Sequence, residues 1–119
     1  NARLFEATRR QVEELAALHP AGRELRINVI QPDNDYWPLP WYLRRYPNVG
    51  YWNRIPENAE ASLIISGPRI GAELRGQLKD VYAGPAMYSL RPAVLRELYV
   101  EAPLWERFMS TRAASNPAP

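Results

Sequence analysis

Proline punctuates this chain more densely than glycine does, with 12 prolines against 6 glycines in 119 residues. Proline fixes φ and lacks a backbone N–H, so it tends to open or end an element rather than continue one. Pro20 with Gly22 closes the first helix-forming stretch, and Pro38 and Pro40 suit the first turn of a second. Pro47 stops that second helix, Gly67-Pro68 breaks an apolar run, and Pro92 precedes the last strand-like stretch.

Periodicity assigns the segments between these breaks. Residues 3–18 place Phe5, Val12, Leu15, Ala16 and Leu18 on one side of a helix, with Glu6, Arg9, Arg10, Glu13 and Glu14 largely elsewhere. Residues 25–30 alternate and carry β-branched side chains, which reads as a strand. A short aromatic helix is expected over 39–46, strands over 49–52 and 62–66, and a helix over 71–78. A short strand follows at 81–83; 94–101 alternates and reads as the last strand, although it also contains good helix formers. Residues 102–112 close the fold as a helix bearing Leu104, Trp105 and Phe108.

The order α-β-α-β-β-α-β-β-α predicts one α/β domain over 3–112. The expected architecture is a three-layer sandwich with helices on both faces. Its sheet would be mainly parallel, of about five strands, with the last strand as an antiparallel edge. Asn1-Ala2 reads as a tag remnant and 113–119 as a frayed tail. Residues 4–18 are charged throughout, so no signal peptide is expected, and the chain reads as one domain of a longer protein.

Composition removes much of the catalytic vocabulary. The chain is 46% hydrophobic and 24% charged, as a soluble globular domain is. No run approaches the roughly 18 apolar residues of a transmembrane helix, and mean hydropathy is −0.44. Without cysteine there is no thiol catalysis, no disulfide and no cysteine-held metal. His19 stands alone, so no histidine metal cluster forms and no metal or cofactor is expected. Fifteen basic against 13 acidic residues argue against nucleic acid as a partner.

Seven of the 13 aromatic residues lie between 36 and 52. They can form a sugar-stacking platform, a docking patch, or filling between helix and sheet. Helical spacing puts Leu39, Tyr42, Leu43 and Tyr46 on one side and Trp41 with Arg44 on another. Asp33 and Asp35 follow the first strand's carboxyl end, where open α/β sheets bind ligands, but they also suit an Asx turn and a helix cap. Trp37 beside them is the ring expected to border a shallow concavity there. Arg91 is placed to clamp a phosphate or carboxylate, or to tie down its loop. His19 suits a helix C-terminus, and 67–71 reads as a turn rather than a phosphate loop. Ser62, Ser66, Ser89 and Ser110 have no histidine at triad-like spacing, and no Gly-x-Ser-x-Gly elbow occurs. The binding candidates are therefore Asp33, Asp35, Trp37, Arg44, Trp52 and Arg91, with no catalytic residue among them.

Residues 32–52 (PDNDYWPLPWYLRRYPNVGYW) resemble a stretch near the C-terminus of large polytopic membrane glycosyltransferases of the flippase-activity-associated family. That family is related to the dolichyl-phosphate-mannose-protein mannosyltransferases. Tyr88-Ser89-Leu90-Arg91-Pro92-Ala93-Val94, followed by Leu98-Tyr99-Val100, resembles a second block of the same tail. The resemblance implies an extracytoplasmic accessory domain of an enzyme that takes sugar from a polyprenyl-phosphate donor. Its partners would be the membrane-embedded half of the same polypeptide and a glycan or acceptor. Catalytic acids in such enzymes belong to the membrane half, so none is carried over. Two alternatives stand beside this one. One is a stand-alone nucleotide- or sugar-binding α/β protein using Asp33, Asp35 and Arg91, and the other is an interaction module using the aromatic segment.

Overall fold

A computed structural model describes the backbone of residues 2–32, 39–91 and 94–115, and side chains over 9–32, 39–84 and 96–112. Helix α1, Ala2–Leu18, follows the apolar period of its sequence: Val12, Leu15 and Ala16 are buried and Glu13 is exposed. His19 closes its last turn, its Nδ1 accepting the Ala21 N–H at 2.9 Å.

Five strands form one mixed sheet: β1 (Ile27–Ile30), β2 (Val49–Trp52), β3 (Leu63–Ser66), β4 (Tyr82–Arg91) and β5 (Val94–Glu101), in the order β2-β1-β3-β5-β4. With helices α1, α2 (Leu39–Tyr42), α3 (Gly71–Gln77) and α4 (Ala102–Ser115), this is an α/β fold. β1 pairs in parallel with β2 and β3. β5 pairs antiparallel with both β3 and β4. The expected sheet, mainly parallel with β5 at its edge, is thus corrected. Among the described residues two ladders are parallel and two antiparallel, and β5 lies inside.

The reason lies in β4. Gly84-Pro85 reads as a break after a three-residue strand, yet the backbone continues through it for ten residues. Gly84 takes φ +120° and the register skips between Ala83 and Ala86, so the irregularity is absorbed as a bulge. Proline is tolerated at such a position on an edge strand, where the lost N–H costs no central ladder bond. β4 therefore becomes the edge, and the hairpin return seats β5 against β3. Beyond the Ser66–Glu97 pair this hairpin runs on to Arg91–Val94, projecting about 10 Å past the central strands at ~3.4 Å per residue.

All four residues of β1 and of β3 are buried. Alternate strand residues enter two separate clusters, as period two requires. Ile27, Val29, Leu63, Ile65, Leu98 and Val100 pack with Leu15 of α1, Leu39 of α2, and Leu104 and Phe108 of α4. Ile30, Ile64 and Tyr99 pack with Leu74 of α3. Each fully buried aliphatic side chain contributes about 1.5–3 kcal/mol by leaving water. α2 spans only four of the eight residues expected, and the chain continues through turns, Tyr46 N–H donating to the Leu43 carbonyl at 3.0 Å. Leu39, Leu43 and Tyr46 are nevertheless buried, and Tyr42 is half-buried. α4 continues three residues past the expected end at Arg112.

Candidate functional site

The aromatic segment builds one wall of a cleft whose other wall is α1. Trp41, Tyr42, Arg44, Arg45 and Tyr46 line it together with Arg9, Glu13 and Arg23. Burial of Leu39 and Leu43 on the core side turns Trp41 outward, and its ring is 54% exposed. The Arg44 guanidinium lies 3.9 Å from the centre of that ring and donates to the Trp41 carbonyl at 2.8 Å. These contacts draw the two exposed side chains together, a pairing of about 0.5–1 kcal/mol at such a site. Arg9 pairs with Glu13 at 2.7 Å. Four arginines therefore line the cleft with one acidic residue. The Tyr46 hydroxyl also reaches this environment. Burial, and then the Glu13 charge, raise its pKa, against the opposing effect of Arg23 and Arg9, so it remains a neutral donor.

Trp52 lies elsewhere. Its indole N–H donates to Asn28 Oδ1 at 3.1 Å, and Asn28 Nδ2 donates to the Ala59 carbonyl at 2.8 Å. Asn28 is fully buried, and these bonds satisfy it at both ends of its amide. The ring borders a second concavity with Arg26, Arg54, Ile55, Pro56, Glu57 and Asn58.

At the carboxyl ends of β1 and β3, where the strand order reverses, the side chain of Gln31 is packed against Gly67. Gln31 Oε1 and Ser66 Oγ are buried there without a hydrogen-bond partner among the described residues. Glu97, opposite Ser66 in the sheet, accepts from Tyr99 OH through Oε1 at 2.8 Å, and that hydroxyl accepts in turn from Arg75 Nη1 at 2.8 Å. Burial and the bond to Glu97 raise the Tyr99 pKa, with Arg75 opposing them. A Cβ on Gly71 would collide with Glu97 Oε1, so glycine lets α3 begin directly against this group. The hydroxyl is engaged as both donor and acceptor, which suits a clasp between α3 and β5 better than a reacting group.

Sequence spacing offers Ser62 no histidine, yet the fold supplies one: His19 Nε2 lies 2.9 Å from Ser62 Oγ and 3.8 Å from Glu101 Oε1. The tautomer decides what this means. Nδ1 accepts the Ala21 N–H, so in the neutral ring Nε2 carries the proton and donates to Ser62. A general base needs the reverse arrangement. The contact holds the end of α1 to the start of β3 and does not activate a nucleophile.

Of the sequence candidates, Arg44 and Trp52 are placed in different concavities. Arg91 ends β4, three strand positions from β1, or about 14 Å across the sheet; its side chain, with Asp33, Asp35 and Trp37, lies outside the described residues. The two resembling blocks contribute opposite edges of the sheet, β2 and β4. Sequence reading missed the cleft's contribution from α1 and Arg23, which no local spacing reveals. It also missed the Arg75–Tyr99–Glu97 clasp, whose one local signal is that Glu97 and Tyr99 share a strand face. No protein-family model, no curated protein and no solved structure matches this chain.

Proposed function

We propose that this chain is a non-catalytic extracytoplasmic accessory domain of a membrane glycosyltransferase that uses a polyprenyl-phosphate-linked sugar donor. The observation that carries this reading is that the resembling segment, residues 32–52, supplies Trp41, Tyr42, Arg44, Arg45 and Tyr46 to an open cleft. Rings stack on the apolar faces of sugars, and guanidiniums hold anions. The segment that resembles the family thus lines a surface suited to an anionic, sugar-bearing ligand. In this reading the molecule is a three-layer sandwich, with α1 and α4 on one face and α3 on the other. The two apolar clusters support that arrangement. The membrane-embedded half of the same polypeptide is the proposed partner, and the extracytoplasmic side of the membrane the proposed location.

Two measurements test the reading. The parent polypeptide should carry many apolar segments of about 20 residues upstream of this domain; their absence ends the proposal. In the full-length enzyme, Trp41→Ala should lower sugar transfer about tenfold, while the isolated domain keeps its melting temperature because the ring is largely exposed. Unchanged transfer by the variant counts against a role for this cleft.

A further inference from the structure

We infer that the cleft between α1 and the turn after α2 is a binding site for a phosphate group carried on a ring-sized body. This deepens the reading above, since it rests on the cleft as the binding surface, but it does not depend on the parent being a membrane enzyme.

The charge is local. The whole chain nets +2, while the cleft alone gathers Arg9, Arg23, Arg44 and Arg45 against Glu13. Glu13 is taken by Arg9, and Arg44 is engaged by the Trp41 carbonyl and ring. The guanidiniums of Arg23 and Arg45 have no hydrogen bond or ion pair among the described residues and are exposed. Two unspent planar forks, with the remaining donors of Arg44 and the Tyr46 hydroxyl, exceed what a carboxylate's two oxygens accept. They match the three oxygens and near-double charge of a phosphate monoester.

Size and stacking narrow the ligand further. The cleft holds about 250 Å³, below the roughly 300–1,000 Å³ of pockets that enclose drug-sized molecules. It has room for a phosphate and one ring. The Trp41 ring leaves stacking area beside the arginines while Arg44 steadies it. A hexose phosphate and the phosphate headgroup of a lipid share this chemistry.

NMR of the whole chain titrated with inorganic pyrophosphate and with a hexose monophosphate tests the site. Cosedimentation with phosphatidylcholine vesicles, with and without phosphatidic acid, tests the lipid source. The Trp41 indole and the Arg44 and Arg45 side-chain resonances should shift, and the affinity should fall as salt is raised. A double variant, Arg23→Ala with Arg45→Ala, should weaken binding about tenfold or more. Arg54→Ala, at the other concavity, should leave it unchanged. Response to the hexose monophosphate assigns a free sugar phosphate, response to pyrophosphate alone overturns the ring-bearing ligand, and response only to phosphatidic acid vesicles assigns a headgroup. Failure in both arms, or equal binding by the double variant, overturns the inference. Because the two arginines are exposed, a dispersed spectrum confirms that the variant is folded. Phosphate binding by a chain whose parent lacks apolar segments of about 20 residues upstream would sink the glycosyltransferase reading and leave this site standing.

Discussion

Tyr99 ties two segments together through a single hydroxyl. It accepts from Arg75 of α3 and donates to Glu97 on its own strand, and the ring around it is only 2% exposed. Replacing it by phenylalanine keeps the packing and removes both bonds, leaving the largely buried Glu97 carboxylate without this donor. Tyr99→Phe should therefore cost about 1–3 kcal/mol in urea denaturation. A change below about 0.5 kcal/mol would mean that Arg75 moves in to replace the bond. Trp41 represents the opposite case. The ring is large but exposed, so its burial contributes little to the fold. The difference between these residues comes from neighbours far away in sequence. Arg75 lies 24 residues from Tyr99, and Ser62 lies 43 from His19.

Helix α3 shows the same contrast within one element. Gly71 at its start faces Glu97, Arg75 and Tyr99 so closely that a Cβ has no room, whereas a Cβ on Gly76 meets nothing within 4 Å. Gly76→Ala should therefore stabilise the domain by about 0.5–1 kcal/mol, the helix-propensity gain. Gly71→Ala should destabilise it by about 1–3 kcal/mol, because Glu97 or the start of α3 must shift. Thermal melts of the two variants moving in the same direction would contradict this account. Elements of this kind are legible where a local period governs them. The buried stripe of α1, the apolar run of β3 and the inward side of 39–46 all follow from spacing alone. Neighbour identity is not local, so the interior place of β5 and the length of β4 could not be read. In β4, a glycine-proline pair that usually breaks a strand is accommodated as a bulge at an edge. The cleft was half legible for the same reason. Trp41 and Arg44 are three residues apart and share a side, whereas Arg9, Glu13 and Arg23 arrive from other elements.

At the scale of the whole molecule, the tyrosines give the fold a common response to alkali. Burial is the leading cause of a raised pKa at Tyr46, Tyr51, Tyr82 and Tyr99, and at Tyr51 it pushes the phenol up to about 12. In the unfolded chain these phenols ionise near the ordinary value, about 10. Below that pH both states hold the proton and each group's contribution is fully present. Above it the unfolded chain loses protons that the folded chain keeps, so the unfolded state binds fewer protons and stability falls as pH rises. The loss should develop between about pH 10 and the folded value near 12 for Tyr51. A shift of this size corresponds to about 3 kcal/mol, and solvent screening of a half-buried ring reduces it to on the order of 1–2 kcal/mol. Tyr51 lies on edge strand β2 and packs, partly buried, against the larger apolar cluster, which is where the desolvation of its phenol arises. Denaturant melts across this range should show a stability that is flat below about pH 9 and declines above it. Tyr51→Phe, which keeps the ring and removes the ionisable group, should flatten part of that decline. An unchanged slope in the variant would place the alkaline sensitivity on the other buried tyrosines and remove Tyr51 as its main source.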